Sequence, residues 1–347
     1  MNTVSFGSKQ NKETDMKHTI LTGDRPTGPL HLGHYVGSLK HRISLQSQHD
    51  QTILIADMQG LTDNGHNPQK VADNIYNVMA DYLAVGINPE ETTICLQSAL
   101  PALAELSMYY ANLVSVSRLE RNPTVKAEIA SKDFGTSIPA GFLNYPISQA
   151  ADITAFDATL VPVGEDQLPM LELTNEIVRK LNSVAKQQVL VEAKPLLSEV
   201  SRLPGVDGKA KMSKSLGNVI TFGSSDDEIV KAVRAMYTDP NHIRVDDPGQ
   251  VEGNVVFTYL DAFHDDKEYV ATLKAHYRRG GLGDSKLKGI LADCLVNLIT
   301  PIRARRETFL SDPTQLREIL KAGTERADQQ SQQVLNRVKD AFGLNVL

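Results

Sequence analysis

Short apolar runs alternate with stretches of helical periodicity through the first half of the chain. His18 to Thr22 is apolar and ends in a Gly/Pro turn. Thr52 to Ala56, Thr92 to Leu96 and Ala158 to Val163 carry no charged interruption, as strands buried on both faces of a parallel sheet require. Between them the period changes. Asn67-Pro68 has the form of an N-cap followed by proline at the first helical position; Val71, Ile75, Val78, Met79, Tyr82 and Leu83 follow at helical spacing, and Gly86 ends the stretch. Pro101 to Leu119 places Leu103, Leu106, Tyr110, Leu113 and Val114 on one stripe. Gly164-Glu165-Asp166-Gln167 turns into a helix carrying Leu171 and Ile177. Strands alternating with helices predict an α/β fold with a doubly wound, Rossmann-like parallel sheet.

After Gly223 the periodicity is almost entirely helical. Ser225 and Glu228 have capping-box spacing ahead of Ile229, Val233 and Met236. Ser285 to Leu310 reads as a helix that Pro301 should bend or break. Asp312-Pro313 opens a last helix to about Phe342, with Leu316, Ile319, Leu320, Val334, Leu335 and Val338 as its apolar stripe. The expected organisation is a flexible extension over 1–17, an α/β domain over 18–205, a linker loop over 206–223 and a helical domain over 224–347. The last helix is free to pack back on the first domain.

Composition narrows this picture little. The 347 residues are 41% hydrophobic and 22% charged, ordinary for a globular protein. No apolar run is long enough to span a membrane, and the polar start lacks the apolar core of a secretory signal. Cys95 and Cys294 stand in apolar surroundings without metal-ligand spacing, so no structural metal is expected and a reducing, cytoplasmic location follows. The net charge of −6 argues against wholesale coating of nucleic acid but leaves room for local basic patches. Arg278-Arg279 and the cluster Arg303, Arg305, Arg306 are the candidates.

The chemistry sits in two short motifs and a helix face. The first strand runs into Arg25-Pro26-Thr27-Gly28 and then His31-Leu32-Gly33-His34. A strand, a Gly/Pro turn and a helix N-terminus make an anion site at the carboxyl end of the sheet. Gly33 lets a nucleoside approach the backbone, and His31 and His34 fall in the first helical turn, where both can donate to phosphoryl oxygens. Far downstream lies Lys211-Met212-Ser213-Lys214-Ser215, between Gly205, Gly208 and Gly217. Two ammonium groups and two hydroxyls on a loop that opens and closes can hold a leaving pyrophosphate. Tyr145, Gln149 and Asp152 share one face of a helix, and a carboxylate among Ala150, Ala151 and Ile153 demands a partner.

These residues resemble the class I aminoacyl-tRNA synthetases, and within them the tryptophanyl-tRNA synthetases, from about Lys17 to Leu344. His31 to His34 looks like the HIGH motif, and Lys211 to Ser215 is the KMSKS motif letter for letter. Tyr145 to Ile153 and Val161 to Gln167 look like the segments framing the amino-acid pocket. The tyrosine enzymes share the Tyr–Gln–Asp spacing, but they carry a tyrosine where this chain has Leu21. Gln149 stands where tryptophan enzymes often have methionine, which makes that wall more polar.

The resemblance implies that the chain activates L-tryptophan with ATP and Mg²⁺ and transfers the acyl group to tRNA(Trp), working as a homodimer whose helical half reads the anticodon. His31, His34, Lys211 and Lys214 would be catalytic. Arg25, Pro26, Thr27, Gly33, His34, Gly164, Glu165, Asp166 and Lys211 to Ser215 would bind ATP. Asp152 would accept from the indole N–H, Tyr145 and Gln167 would hold the substrate ammonium, and Gln149 would line the pocket. Two other readings stay open at this level: a nucleotidylyltransferase that activates a small acid, and a non-catalytic RNA-binding relative.

Overall fold

The structure, a computed structural model, describes residues 17–132, 134, 137–197, 203–208, 212 and 217–346. Residues 1–16 of the expected N-terminal extension and Lys211, Ser213, Lys214 and Ser215 lie outside the described residues.

Five parallel strands form one sheet: β1 (Thr19–Asp24), β2 (Asp50–Ile55), β3 (Thr92–Leu96), β4 (Leu160–Val163) and β5 (Lys194–Leu197). Their order is β3-β2-β1-β4-β5. The chain therefore winds one way from β1 and then the other, and the switch falls between β1 and β4, where ligands bind in doubly wound sheets. Side chains alternate across the strands, and the two faces bury separate cores. Ile53, Ile55 and Ile94 belong to one, with Leu32, Leu39, Val78 and Tyr82. Leu21, Leu54 and Cys95 belong to the other, with Leu103, Leu106, Ile147 and Ile177.

The second half of the chain does not bury a core of its own. Phe257, Leu260, Leu287, Leu291 and Ile299 continue the first core, while Val334, Leu335 and Val338 of the last helix enter the second. That helix, Pro313–Phe342, runs along the free edge of β3. Gly323 permits the approach, since a Cβ there would lie 2.0 Å from the Ile94 carbonyl oxygen. Thr324 Oγ1 accepts from the Leu96 N–H at 3.1 Å, and Gln330 donates to the Phe156 carbonyl at 2.9 Å. The helix thus covers a strand edge that would otherwise expose unpaired backbone groups.

The local signals hold in part. Ser225 and Glu228 form the capping box, with N–H bonds of 3.3 and 2.8 Å in the two directions. Asp312 caps the last helix by accepting from the Gln315 N–H at 3.0 Å. Gly86 ends its helix at φ 114°. The stretch after Asn67 is two helices, Pro68–Ala72 and Ile75–Val85, and Pro101 to Leu119 is likewise split into Pro101–Ala111 and Val116–Glu120. Asn112 sits at the second break and donates to the Met108 carbonyl at 2.8 Å, a side-chain bond to the backbone that competes with helix continuation.

Pro301 breaks nothing: Asp284–Ser311 is one helix. Pro301 and Asn297, whose carbonyl loses its partner, are both exposed, while Leu295, Ile299 and Ile302 are buried on the opposite face. That face is open to solvent, and packing on the other face holds the turn. β5 escaped the periodicity because its Lys194 and Pro195 are exposed, the composition tolerated at a sheet edge.

Candidate active site

A cavity of about 620 Å³ opens at the switch between β1 and β4. Arg25, Thr27, His31 and His34 line one end; Tyr145, Gln149, Asp152, Gly164 and Gln167 line the other. Two sets of residues expected from opposite halves of the α/β region therefore meet in one space. Pro26, Gly33, Glu165 and Asp166 lie beside this lining rather than in it.

The histidine turn is built differently from a simple helix start. His31 is not in the first turn; it is the N-cap of the short helix Leu32–His34, and a π-helical turn, Tyr35–Leu39, follows. Its Nδ1 accepts from the Gly33 N–H at 3.1 Å, and the Nδ1 of His34 accepts from the His31 N–H at 3.3 Å. The two rings close a reciprocal capping box, their centroids 3.9 Å apart. An imidazole that accepts at Nδ1 carries its proton on Nε2 when neutral.

Gly33 faces protein: a Cβ there would lie 2.9 Å from His31 Cε1 and 3.3 Å from Met212 Sδ. Met212, the central apolar residue of the lysine motif, is 5% exposed. The strand-like stretch after that motif is tied to the same turn. His31 bridges to Thr221, and the Leu32 N–H donates to the Ile220 carbonyl at 3.0 Å.

The other end rests on helix Ala140–Thr154, which carries Tyr145, Gln149 and Asp152. Asp152 is 4% exposed. Gln97 Nε2 reaches both of its carboxylate oxygens at 2.9 Å, and Gln59 Nε2 reaches one at 2.6 Å. Burial pushes this carboxyl up to about 7, against the pull of the two amide donors. A carboxylate offers about four lone-pair sites, so these bonds leave room for a further donor. Burial also raises the Tyr145 hydroxyl, aided by the neighbouring Glu128 carboxylate. Gln167 closes the wall from the turn Glu165–Gln167, whose Asp166 carbonyl accepts from Thr124 Oγ1 at 2.7 Å.

Nothing in the sequence reading marked Gln59 or Gln97, because each acts from the first residues beyond a strand on a partner far along the chain. It also passed over Asp24, Arg42 and Tyr82. Arg42 Nη1 lies 2.6 Å from Asp24 Oδ2, and Tyr82 Oη donates to the same oxygen at 2.7 Å. Burial acts to raise Asp24, but the Arg42 charge and the nearby His34 outweigh it and hold the carboxyl well below the usual range. Arg42 is 2% exposed. Its signal was available: it falls three residues after Leu39 on the buried stripe, where an arginine must have a partner. Arg25, at the mouth, pairs with Asp63 at 3.1 Å.

Four of the five basic residues expected to meet RNA have partners within the chain. Arg278 pairs with Glu252 at 2.6 Å. Arg303 donates to the Ser224 carbonyl at 2.6 Å, Arg305 to the Ala84 carbonyl at 2.7 Å and Arg306 to Asp81 at 2.6 Å. The last helical turns before Ser311 lie against the α/β half, where Arg303 and Arg306 are half-buried and Arg305 stays exposed.

The family described as "tRNA synthetases class I (W and Y)" matches residues 12–300. A tryptophan–tRNA ligase of Clostridium longisporum is 57% identical over 332 residues, covering 94% of this chain and 97% of that protein. One from Streptococcus mutans is 56% identical, covering 95% and 99%. Among solved structures, the tryptophanyl-tRNA synthetase of Campylobacter jejuni complexed with ADP and tryptophan aligns with a TM-score of 0.83 at 29% identity, covering 94% of this chain and all of that one. The enzyme of Mycoplasma pneumoniae aligns with a TM-score of 0.79 at 27% identity.

Proposed function

The chain belongs to the class I tRNA synthetases of the tryptophan and tyrosine branch, and from that premise we propose how its residues carry out the ligation of L-tryptophan to tRNA(Trp). The observation that carries the proposal is the single cavity that joins the histidine turn to the buried Asp152. Tryptophan lies with its indole N–H on Asp152 and its ammonium near Tyr145 and Gln167. Gln149 lines its side. ATP lies across the carboxyl ends of β1 and β4, with its ribose and base toward Gly164, Glu165 and Asp166 and its phosphates toward Arg25, Pro26, Thr27, His31 and His34. Gly33 keeps the turn close to the nucleotide.

The substrate carboxylate attacks the α-phosphorus, the bond to the β-phosphate oxygen breaks, and pyrophosphate leaves. Little covalent work falls to the protein; it orients the reactants and balances charge. The Nε2–H donors of His31 and His34 stabilise the oxygens that gain charge, and Lys211 and Lys214, with Ser213 and Ser215, receive the pyrophosphate. Met212 packs against Gly33. Mg²⁺ enters as part of the substrate, MgATP. The terminal ribose 2′-hydroxyl of the tRNA then attacks the acyl carbonyl and AMP departs. The helical half reads the anticodon, the active form is a homodimer, and the reaction runs in the cytoplasm, where its substrates are.

Pyrophosphate exchange with each of the twenty amino acids tests this reading. Tryptophan should support exchange far above all others. A site built round a substrate hydrogen bond rejects analogues lacking the donor by factors on the order of 10⁴. Exchange driven better by tyrosine would overturn it.

A further inference from the structure

The arginine face of helix Asp284–Ser311 reaches the histidine turn through one buried carboxylate and reaches the chain after the lysine motif directly. Asp81 is fully buried in helix Ile75–Val85. Its Oδ2 accepts from the Leu30 N–H at 2.7 Å, at the residue that leads into the histidine turn. Its Oδ1 accepts from Arg306 Nε at 2.6 Å. Arg306 is itself steadied by Asn77, whose Oδ1 accepts from Nη2 at 3.0 Å.

The same guanidinium stands beside the chain that leaves the lysine loop. A Cβ on Gly223 would lie 3.5 Å from Arg306 Nη1, and neighbouring Arg303 donates to the Ser224 carbonyl at 2.6 Å. Between these anchors, Ile220 and Thr221 hold the histidine turn directly. Leu30 is thus tied to Arg306 through Asp81, while Ser224 is bonded to Arg303 on the same helix and Gly223 packs against Arg306.

We propose that Arg306, acting through Asp81 and Leu30, is a positioning residue for adenylate formation: it sets the distance between the histidine turn and the root of the lysine loop. The inference rests on the assignment of those two motifs to ATP. A buried carboxylate shared between a backbone N–H and an arginine fixes geometry more tightly than packing, because either donor left unpaired is costly. The role differs from phosphate contact with RNA, since the arginine is spent inside the protein.

Pyrophosphate exchange and tryptophan binding, measured on the full chain, separate the possibilities. Arg306→Leu should lower the exchange kcat by about tenfold or more, while the tryptophan Kd, read by fluorescence of the added amino acid, moves less than twofold. Arg306→Lys should recover part of the loss, because its ammonium reaches Asp81 at a single point. Should Arg306→Leu not fold, Asn77→Ala bears the test: it removes only the bond that steadies the guanidinium and should lower kcat severalfold with the tryptophan Kd unchanged. Folded variants that keep the wild-type kcat, or that lose tryptophan binding in step with kcat, would overturn the proposal. A wild-type chain that fails to exchange with tryptophan would instead overturn the functional reading itself.

Discussion

The two ends of the cavity are made in different ways. The amino-acid end is framed by one sheet and the helices packed on it: Asp152, Gln97 and Gln59 meet within a single hydrogen-bonded cluster. The phosphate end is assembled from the turn after β1, the root of the lysine loop and a helix far along the chain, joined by Leu30, Thr221 and Arg306. In the proposed reaction the first end selects the amino acid and the second holds the phosphates. Selection and chemistry should therefore be separable by mutation.

The sharpest way to break that division is at Lys214. Removing one preorganised donor to a developing charge costs roughly 100-fold or more in rate. Lys214→Ala should show that loss in the exchange kcat with nearly unchanged tryptophan affinity. Equal losses in both would mean that the ends are not separate.

Asp152→Asn probes the opposite end. The new amide would point a donor at Gln97 or Gln59, leaving buried donors in conflict, a cost of about 1–3 kcal/mol. The expected result is a loss on the order of tenfold to 100-fold in kcat/KM for tryptophan, with the KM for ATP little changed. The chain contains no tryptophan, so titration of added L-tryptophan reads binding without protein indole.

Gly323→Ala asks whether the last helix supports the receptor end. The added methyl would meet the Ile94 carbonyl, and relief must push β3 and the adjacent Gln97. Overpacking of this kind costs about 1–3 kcal/mol of stability. Thermal unfolding should fall accordingly, and the KM for tryptophan should rise more than that for ATP. A variant that loses stability yet keeps both KM values would detach the helix from the site.

The smallest effect is a pH dependence. The ordinary carboxyl value for Asp152 is 3.8, and in the folded protein it is about 7. Between those values the folded chain binds the extra proton, so this group's contribution to stability declines as pH rises across the window. Tryptophan affinity should run the other way, tightening severalfold as pH climbs through about 7, because the ionised form is the better acceptor for the indole N–H. Asp152→Asn should flatten both curves. An affinity that is level from pH 6 to 8 in the wild type would mean that Asp152 does not change its ionisation in this window.

Much of this was open to reading along the chain. Apolar runs located four strands, the Ser225 box and Asp312 marked two helix starts, and the Tyr145–Asp152 spacing described a helix face that lines the cavity. Pro301 does not break its helix, because its exposure is not a local property. The partners of Arg303, Arg305 and Arg306 were hidden for the same reason. A cluster of like charges looks solvent-facing until the surface opposite it is known, and here that surface holds Asp81, Asn77 and the Ala84 carbonyl.

What the sequence by itself determined is what short-range physics governs: periodicity, caps, and motifs whose chemistry is contained in a few adjacent residues. The tertiary structure alone decided the polar pairings that give those motifs their geometry. Asp81 and Arg306 stand 225 positions apart, Gln97 and Asp152 stand 55 apart, and no propensity links them. Hydrophobic burial tolerates many partners of similar size, so a pattern suffices to announce it. A buried hydrogen bond accepts one partner at one distance, and only the folded chain names it.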